Sequence, residues 1–113
     1  MFKFDLHNKT IGVISLEKPS RITGEISASF RKWYESKEIG KCSAIVIDGE
    51  NIQFIDSMGI AALISIYKNL TPKGSNLLLV NLSPEIKKLL GTLRLDRLFN
   101  IRDCSVEDAI KTI

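Results

Sequence analysis

An apolar strand that passes into an apolar helix through one acidic and one hydroxyl residue constrains this chain more than any other feature. The passage reads Phe54-Ile55-Asp56-Ser57-Met58-Gly59-Ile60. Upstream of it, Ala44-Ile45-Val46-Ile47 is short and rich in branched residues, the mark of a strand buried on both faces. Downstream, the run from Ile60 to Tyr67 is too long and too rich in alanine to be another strand, and it reads as a helix. The polar pair sits at the seam. A serine there is a favoured N-cap, because its oxygen accepts a backbone N–H of the first turn, and free amides at a helix start attract phosphate. A reversible chemical event at Ser57 would leave the core undisturbed.

The rest of the chain alternates in the same way. Phe2, Phe4 and Leu6 alternate with Lys3 and Asp5, and Ile11 to Leu16 continues as a second strand, which predicts a hairpin. Pro19 and Gly24 punctuate a loop, after which Ile22, Ile26, Phe30, Trp33 and Tyr34 share one face at helical spacing, with Arg31, Lys32 and Glu35 elsewhere. Pro72-Lys73-Gly74 is a turn that delivers Leu77-Leu78-Leu79-Val80 as a strand. Ser83-Pro84-Glu85 reads as N-cap, first-turn proline and acidic first-turn residue of a helix whose inward stripe is Ile86, Leu89 and Leu90. Leu98-Phe99-Asn100-Ile101 predicts a last short strand, and Ser105 opens a closing helix through Glu107 and Asp108. Strands followed by helices imply an α/β domain whose inner strands are covered, with its site where strands end and helices begin.

Size and charge narrow the function. The 113 residues suit one domain, spanning 1–113, and long enough to bury a core without staples. The 16 basic and 13 acidic residues are spread evenly, which gives no nucleic-acid footprint. No charge-free stretch reaches the roughly 18 apolar residues of a membrane span, and the first residues alternate like a strand rather than a signal peptide, so the expectation is a soluble, unexported, cytoplasmic protein. Cys42 and Cys104, far apart and without a CxxC, read as free thiols in a reducing compartment. A single histidine, His7, makes no metal site, and no GxxxxGK[ST] phosphate loop is present. No metal, no cofactor and no catalytic residue is expected, and the chain is read as a non-enzyme.

These residues resemble the STAS domains, and among them the bacterial anti-sigma factor antagonists. The resemblance rests on Ile45-Val46-Ile47-Asp48, on the Asp56-Ser57-Met58-Gly59 segment between strand and helix, and on Leu82 to Leu90 with Leu95-Asp96-Arg97-Leu98-Phe99 before a short helix. It covers nearly the whole chain. It implies a single STAS-like α/β domain, with a mixed four- to five-stranded sheet covered by about four helices. It also implies that Ser57 accepts a phosphoryl group from a partner anti-sigma factor with serine kinase activity. On this resemblance the free hydroxyl is expected to permit binding, the phosphate to end it and a phosphatase to reset it, so that transcription is regulated indirectly. Asp56, Ser57, Met58 and Gly59 form the expected partner-binding set. The partners implied include no direct nucleic acid and no membrane, and the free protein is expected as a monomer or weak dimer. Two departures from the pattern are Met58 in place of the usual Ser or Thr, and Glu17 to Thr23, which lacks the acidic residue many antagonists carry there.

Each singled-out residue has a plainer reading beside the functional one. Ser57 is a modified serine or an ordinary N-cap; Asp56 orients the hydroxyl, acts as a local base or caps the helix; Met58 is a contact or core filler. Asp48 is expected to end its strand through turn hydrogen bonds. Trp33 and Tyr34 are an interface anchor or core. Two rivals to the antagonist remain. One is an enzyme in which Asp48 and Asp56 are paired carboxylates holding Mg²⁺ or one of them is a phospho-accepting aspartate, and the other is an unphosphorylated STAS scaffolding subunit of a transporter or signalling complex.

Overall fold

Six-residue strands with apolar positions facing each other begin the chain: β1 (Phe2–His7) and β2 (Ile11–Leu16) pair antiparallel from Phe2 opposite Leu16 to His7 opposite Ile11. This is the expected hairpin, seen in a computed structural model that describes residues 2–7, 10–24, 28–30, 32 and 42–112. Every later strand of the main sheet is parallel to its neighbour. β4 (Ala44–Asp48) lies between β2 and β6 (Asn76–Val80), and β7 (Asn100–Arg102) adds to β6, giving the order β1-β2-β4-β6-β7. The sheet is therefore mixed and five-stranded. Two further strands, β3 (Ser20–Ile22) and β5 (Ile52–Ile55), pair parallel with each other as a separate small sheet.

The unbroken apolar runs of β4 and β6 are explained by burial on both sides. Alternate side chains of a strand point to opposite faces, and the core splits accordingly into two clusters. Ile45, Ile47, Leu77 and Leu79, with Ile14 and Leu16, face the helices α1 (Ser57–Leu70) and α2 (Pro84–Thr92) and the ring of Phe30. Val46, Leu78 and Val80, with Ile11 and Val13, face α3 (Val106–Lys111) through Ala109. In α1 the buried stripe is Ile60, Leu63, Ile66 and Leu70, with Ala62 beside it, while Lys68 and Asn69 are exposed. Each such isoleucine or leucine contributes about 1.5–3 kcal/mol on burial. A 3-10 turn at Thr71–Lys73, with Pro72 inside and Gly74 at φ 73°, then ends the helix as the Pro-Lys-Gly sequence requires.

Helix starts follow the expected caps at two places. The Ser83 hydroxyl accepts from the Ile86 N–H with Pro84 in the first turn, and the Ser105 hydroxyl accepts from the Asp108 N–H. Ile86 and Leu90 are buried and Leu89 is half-buried against the same cluster. Cys42 and Cys104 are free thiols, the first of them buried.

Three readings need correction. Residues 17–23 are not only a loop, because Ser20–Ile22 is a strand, and Ile22 is buried there rather than on the first amphipathic helix. The strand entering the Asp-Ser seam is β5, a separate element from the central β4. The last strand begins at Asn100, not Leu98, since Leu95–Arg97 forms a 3-10 turn and Phe99 is buried in the core. Of the first helix, Gly24, residues 28–30 and Lys32 are helical, while Ile26, Arg31, Trp33, Tyr34 and Glu35 lie outside the described residues.

Close approach explains one glycine and not another. A Cβ on Gly59 would meet the Ile22 carbonyl oxygen and Ile55 Cγ1, both at 2.6 Å, whereas one on Gly91, inside α2, meets nothing within 4 Å. Gly59→Ala is expected to destabilise by about 1–3 kcal/mol. Gly91→Ala is expected to stabilise by about 0.5 kcal/mol through helix propensity. Urea unfolding of the two variants checks both signs.

Candidate functional site

β3 and β5 form a small ledge beyond the ends of β2 and β4. Asn51 fastens it: its side-chain amide donates to the Leu16 carbonyl at 2.7 Å, and its own carbonyl accepts from the Ser20 N–H at 2.9 Å. The Asp56 N–H then donates to the Ile22 carbonyl at 3.2 Å, which ties the exit of β5 to β3. That same carbonyl is the atom against which Gly59 packs. The start of α1 is thereby laid on the ledge at a fixed distance.

Asp56 and not Ser57 is the N-cap. Its backbone is extended (φ −102°, ψ −174°), and its Oδ1 accepts from the N–H groups of Met58 and Gly59, each at 3.0 Å. Both residues of the pair are good caps by type; the one that leaves the strand last takes the task, and Ser57 becomes the first residue of the helix. The idea of free amides waiting for phosphate at this helix start is corrected with it, since two of them already serve the Asp56 carboxylate. The Ser57 side chain is exposed, and its hydroxyl makes no hydrogen bond among the described residues.

Exposed apolar residues lie on either side of Ser57 in the sequence. Met58 is 56% exposed and Phe54 43%, so Met58 is a surface residue rather than core filler. The Arg21 guanidinium of β3 lies 4.6 Å from the centroid of the Phe54 ring, a cation–π stack across the paired strands. Gly59, expected among the contact residues, is buried beneath β3 and belongs to the packing under the rim. Sequence reasoning missed Arg21 and Phe54 as rim residues. The one signal was the unusual makeup of residues 17–23, and only strand pairing shows where it points.

Asp48 has a separate structural task. Its Oδ1 accepts from the Glu50 N–H at 3.0 Å and from the Asn81 side-chain amide at 3.1 Å, which joins the β4–β5 turn to the loop after β6. Each aspartate of the paired-carboxylate reading is thus held by its own local donors. Among the described residues no three His, Cys, Asp or Glu side chains gather to hold a metal, and no helix is long and apolar enough to cross a membrane. What the arrangement offers chemically is one accessible alcohol on a rigid turn.

Comparison with known proteins identifies the family and the fold. The family model for the STAS domain matches residues 6–109. An anti-sigma F factor antagonist of Paenibacillus polymyxa is 30% identical over 66 residues, 58% of this chain; the match spans only 56% of that relative's length. Among solved structures, the anti-sigma factor antagonist SpoIIAA in its unphosphorylated form superposes with a TM-score of 0.84 at 19% identity, over 99% of this chain and 95% of that one. The Bacillus cell fate determinant SpoIIAA in its phosphorylated form superposes with a TM-score of 0.76 at 20% identity, over 99% and 98%. At these identities the structural likeness is one of fold.

The capping assignment predicts a contrast between neighbours. Asp56→Ala should cost about 1–2 kcal/mol of stability by orphaning two amides, while Asp56→Asn retains most of the cap. Ser57→Ala, which removes no hydrogen bond, should stay within about 0.5 kcal/mol of the parent. Chemical denaturation of the three variants separates the roles.

Proposed function

The chain belongs to the STAS domain family, and from that premise we propose that it is an anti-sigma factor antagonist switched at Ser57. With a free hydroxyl it binds an anti-sigma factor that has serine kinase activity, and phosphorylation of Ser57 by that partner releases it. ATP and its magnesium ion belong to the partner, and a phosphatase returns the serine to its free state. The observation that carries this reading is the Ser57 hydroxyl itself, exposed and without a hydrogen bond among the described residues, in the first turn of α1 next to the exposed Met58.

The physical effect of modification follows from the cap. A phosphate adds roughly −1.5 to −2 charges and three strong acceptors. The Met58 and Gly59 amides are already engaged by Asp56, so the helix start has little left with which to absorb it. The anion therefore projects toward whatever docks on the rim. A partner surface fitted to a neutral alcohol then meets a charge that it must desolvate, and a loss of about 2.7 kcal/mol weakens association roughly a hundredfold.

Intact mass measurement of the protein purified from its host is expected to show a satellite about 80 Da heavier that maps to Ser57 and vanishes in Ser57→Ala. Ser57→Asp is expected to bind the anti-sigma factor roughly a hundredfold more weakly than the parent. A phosphate that maps elsewhere, together with Ser57→Asp binding as the parent does, would overturn the proposal.

A further inference from the structure

The rim around Ser57 carries a sign as well as a shape. Arg21 is exposed, stacks on Phe54 and makes no ion pair with a described residue. Lys18, in the turn before β3, is exposed too, with Glu17 beside it as the opposing charge. The nearest carboxylate of the site, Asp56, is turned to its capping amides, and the first turn of α1 has no other acidic residue. The outward face thus combines two exposed apolar side chains, Phe54 and Met58, with a guanidinium lying over the ring of Phe54. Arginine pre-organised on an aromatic face keeps its donors free at little cost in side-chain entropy, and such residues are the usual anchors of interfaces.

We propose that Arg21 is a specificity-determining contact, and that the partner surface docking on Phe54 and Met58 presents a carboxylate to it, flanked by apolar side chains. This rests on the reading of Ser57 as the switch and adds the chemistry of what it switches. Charge complementarity selects the partner: a basic surface brought against Arg21 is repelled, and an acidic one is drawn in and held in register. The same sign gives the phosphate its leverage. A phosphoserine beside this surface competes with the partner's carboxylate for Arg21 and repels that carboxylate, so the matched pair of opposite charges is lost.

The test places a benzoylphenylalanine photo-crosslinker, apolar but larger than the methionine it replaces, at the exposed position 58 of the full chain in host cells. Cross-linked peptides are identified by mass spectrometry. The expected peptide carries Asp or Glu among apolar residues. Arg21→Glu should lower the cross-linking yield roughly tenfold or more, Arg21→Lys should keep most of it, and exchanging the partner's acidic residue for arginine should restore the yield with Arg21→Glu. A cross-linked peptide without a carboxylate, or an Arg21→Glu yield equal to the parent's, overturns the proposal. Ser57 phosphate is measured in the same samples. Charge-dependent cross-links without phosphate overturn the switch but keep the docking chemistry, and phosphate with charge-insensitive cross-links does the reverse.

Discussion

One backbone carbonyl organises the site. Ile22 O accepts the Asp56 N–H and also forms the surface against which Gly59 lies, so a three-residue strand sets both the end of β5 and the height of α1 above it. Without a side chain at position 59 the helix approaches close enough for Asp56 to leave the strand extended and cap the first turn. With the cap settled, Ser57 and Met58 have one direction left to face, which is outward. The presentation of the hydroxyl is a consequence of packing beneath it rather than of anything that binds it.

The two apolar clusters let this surface change without disturbing the fold. The central strands are fixed from both sides, by α1 and α2 on one face and by α3 on the other. The Asp48 turn and the Asn51 fastening hold the loops that border the ledge. None of these interactions includes the Ser57 side chain. The site is therefore built as a rigid support with one chemically addressable atom at its edge, the arrangement in which a modification changes recognition and leaves the support in place.

Most of the architecture was legible because local chemistry and tertiary packing agree. The hairpin follows from alternation in residues 2–16, and the Ser83 and Ser105 caps from a hydroxyl ahead of acidic first turns. The site was legible to the nearest residue but not to the atom. Asp56 and Ser57 are both preferred cap types, and the choice between them depends on where β5 ends, which is decided by pairing with β3. That pairing was hidden because Ser20–Ile22 and Ile52–Ile55 are too short to show a period, and Ile22 fits a helical stripe by spacing alone. Arg21 on Phe54 was hidden for the same reason, since the two meet only through strand register. Position 58 was ambiguous because methionine suits core and surface alike.

Magnitudes set out how a phosphate on Ser57, as proposed, would act on association rather than on folding. Two unit charges about 4 Å apart interact by about 1 kcal/mol in water and about 4 kcal/mol at an effective dielectric constant of about 20. In the free protein the Ser57 side chain is exposed, so a phosphate of roughly −1.5 to −2 charges there would repel Asp56 by about 1.5–2 kcal/mol at that separation. The helix dipole offsets about 0.3–1 kcal/mol of it, which leaves a small fraction of the 5–15 kcal/mol that typically holds a domain of this size together. On the proposed reading a partner covering Phe54 and Met58 would exclude water and lower the effective dielectric constant, and the same phosphate would cost several times more. The proposed switch would therefore draw its strength from the partner's own exclusion of solvent, and a surface that covered the rim more completely would be released more sharply by the same modification.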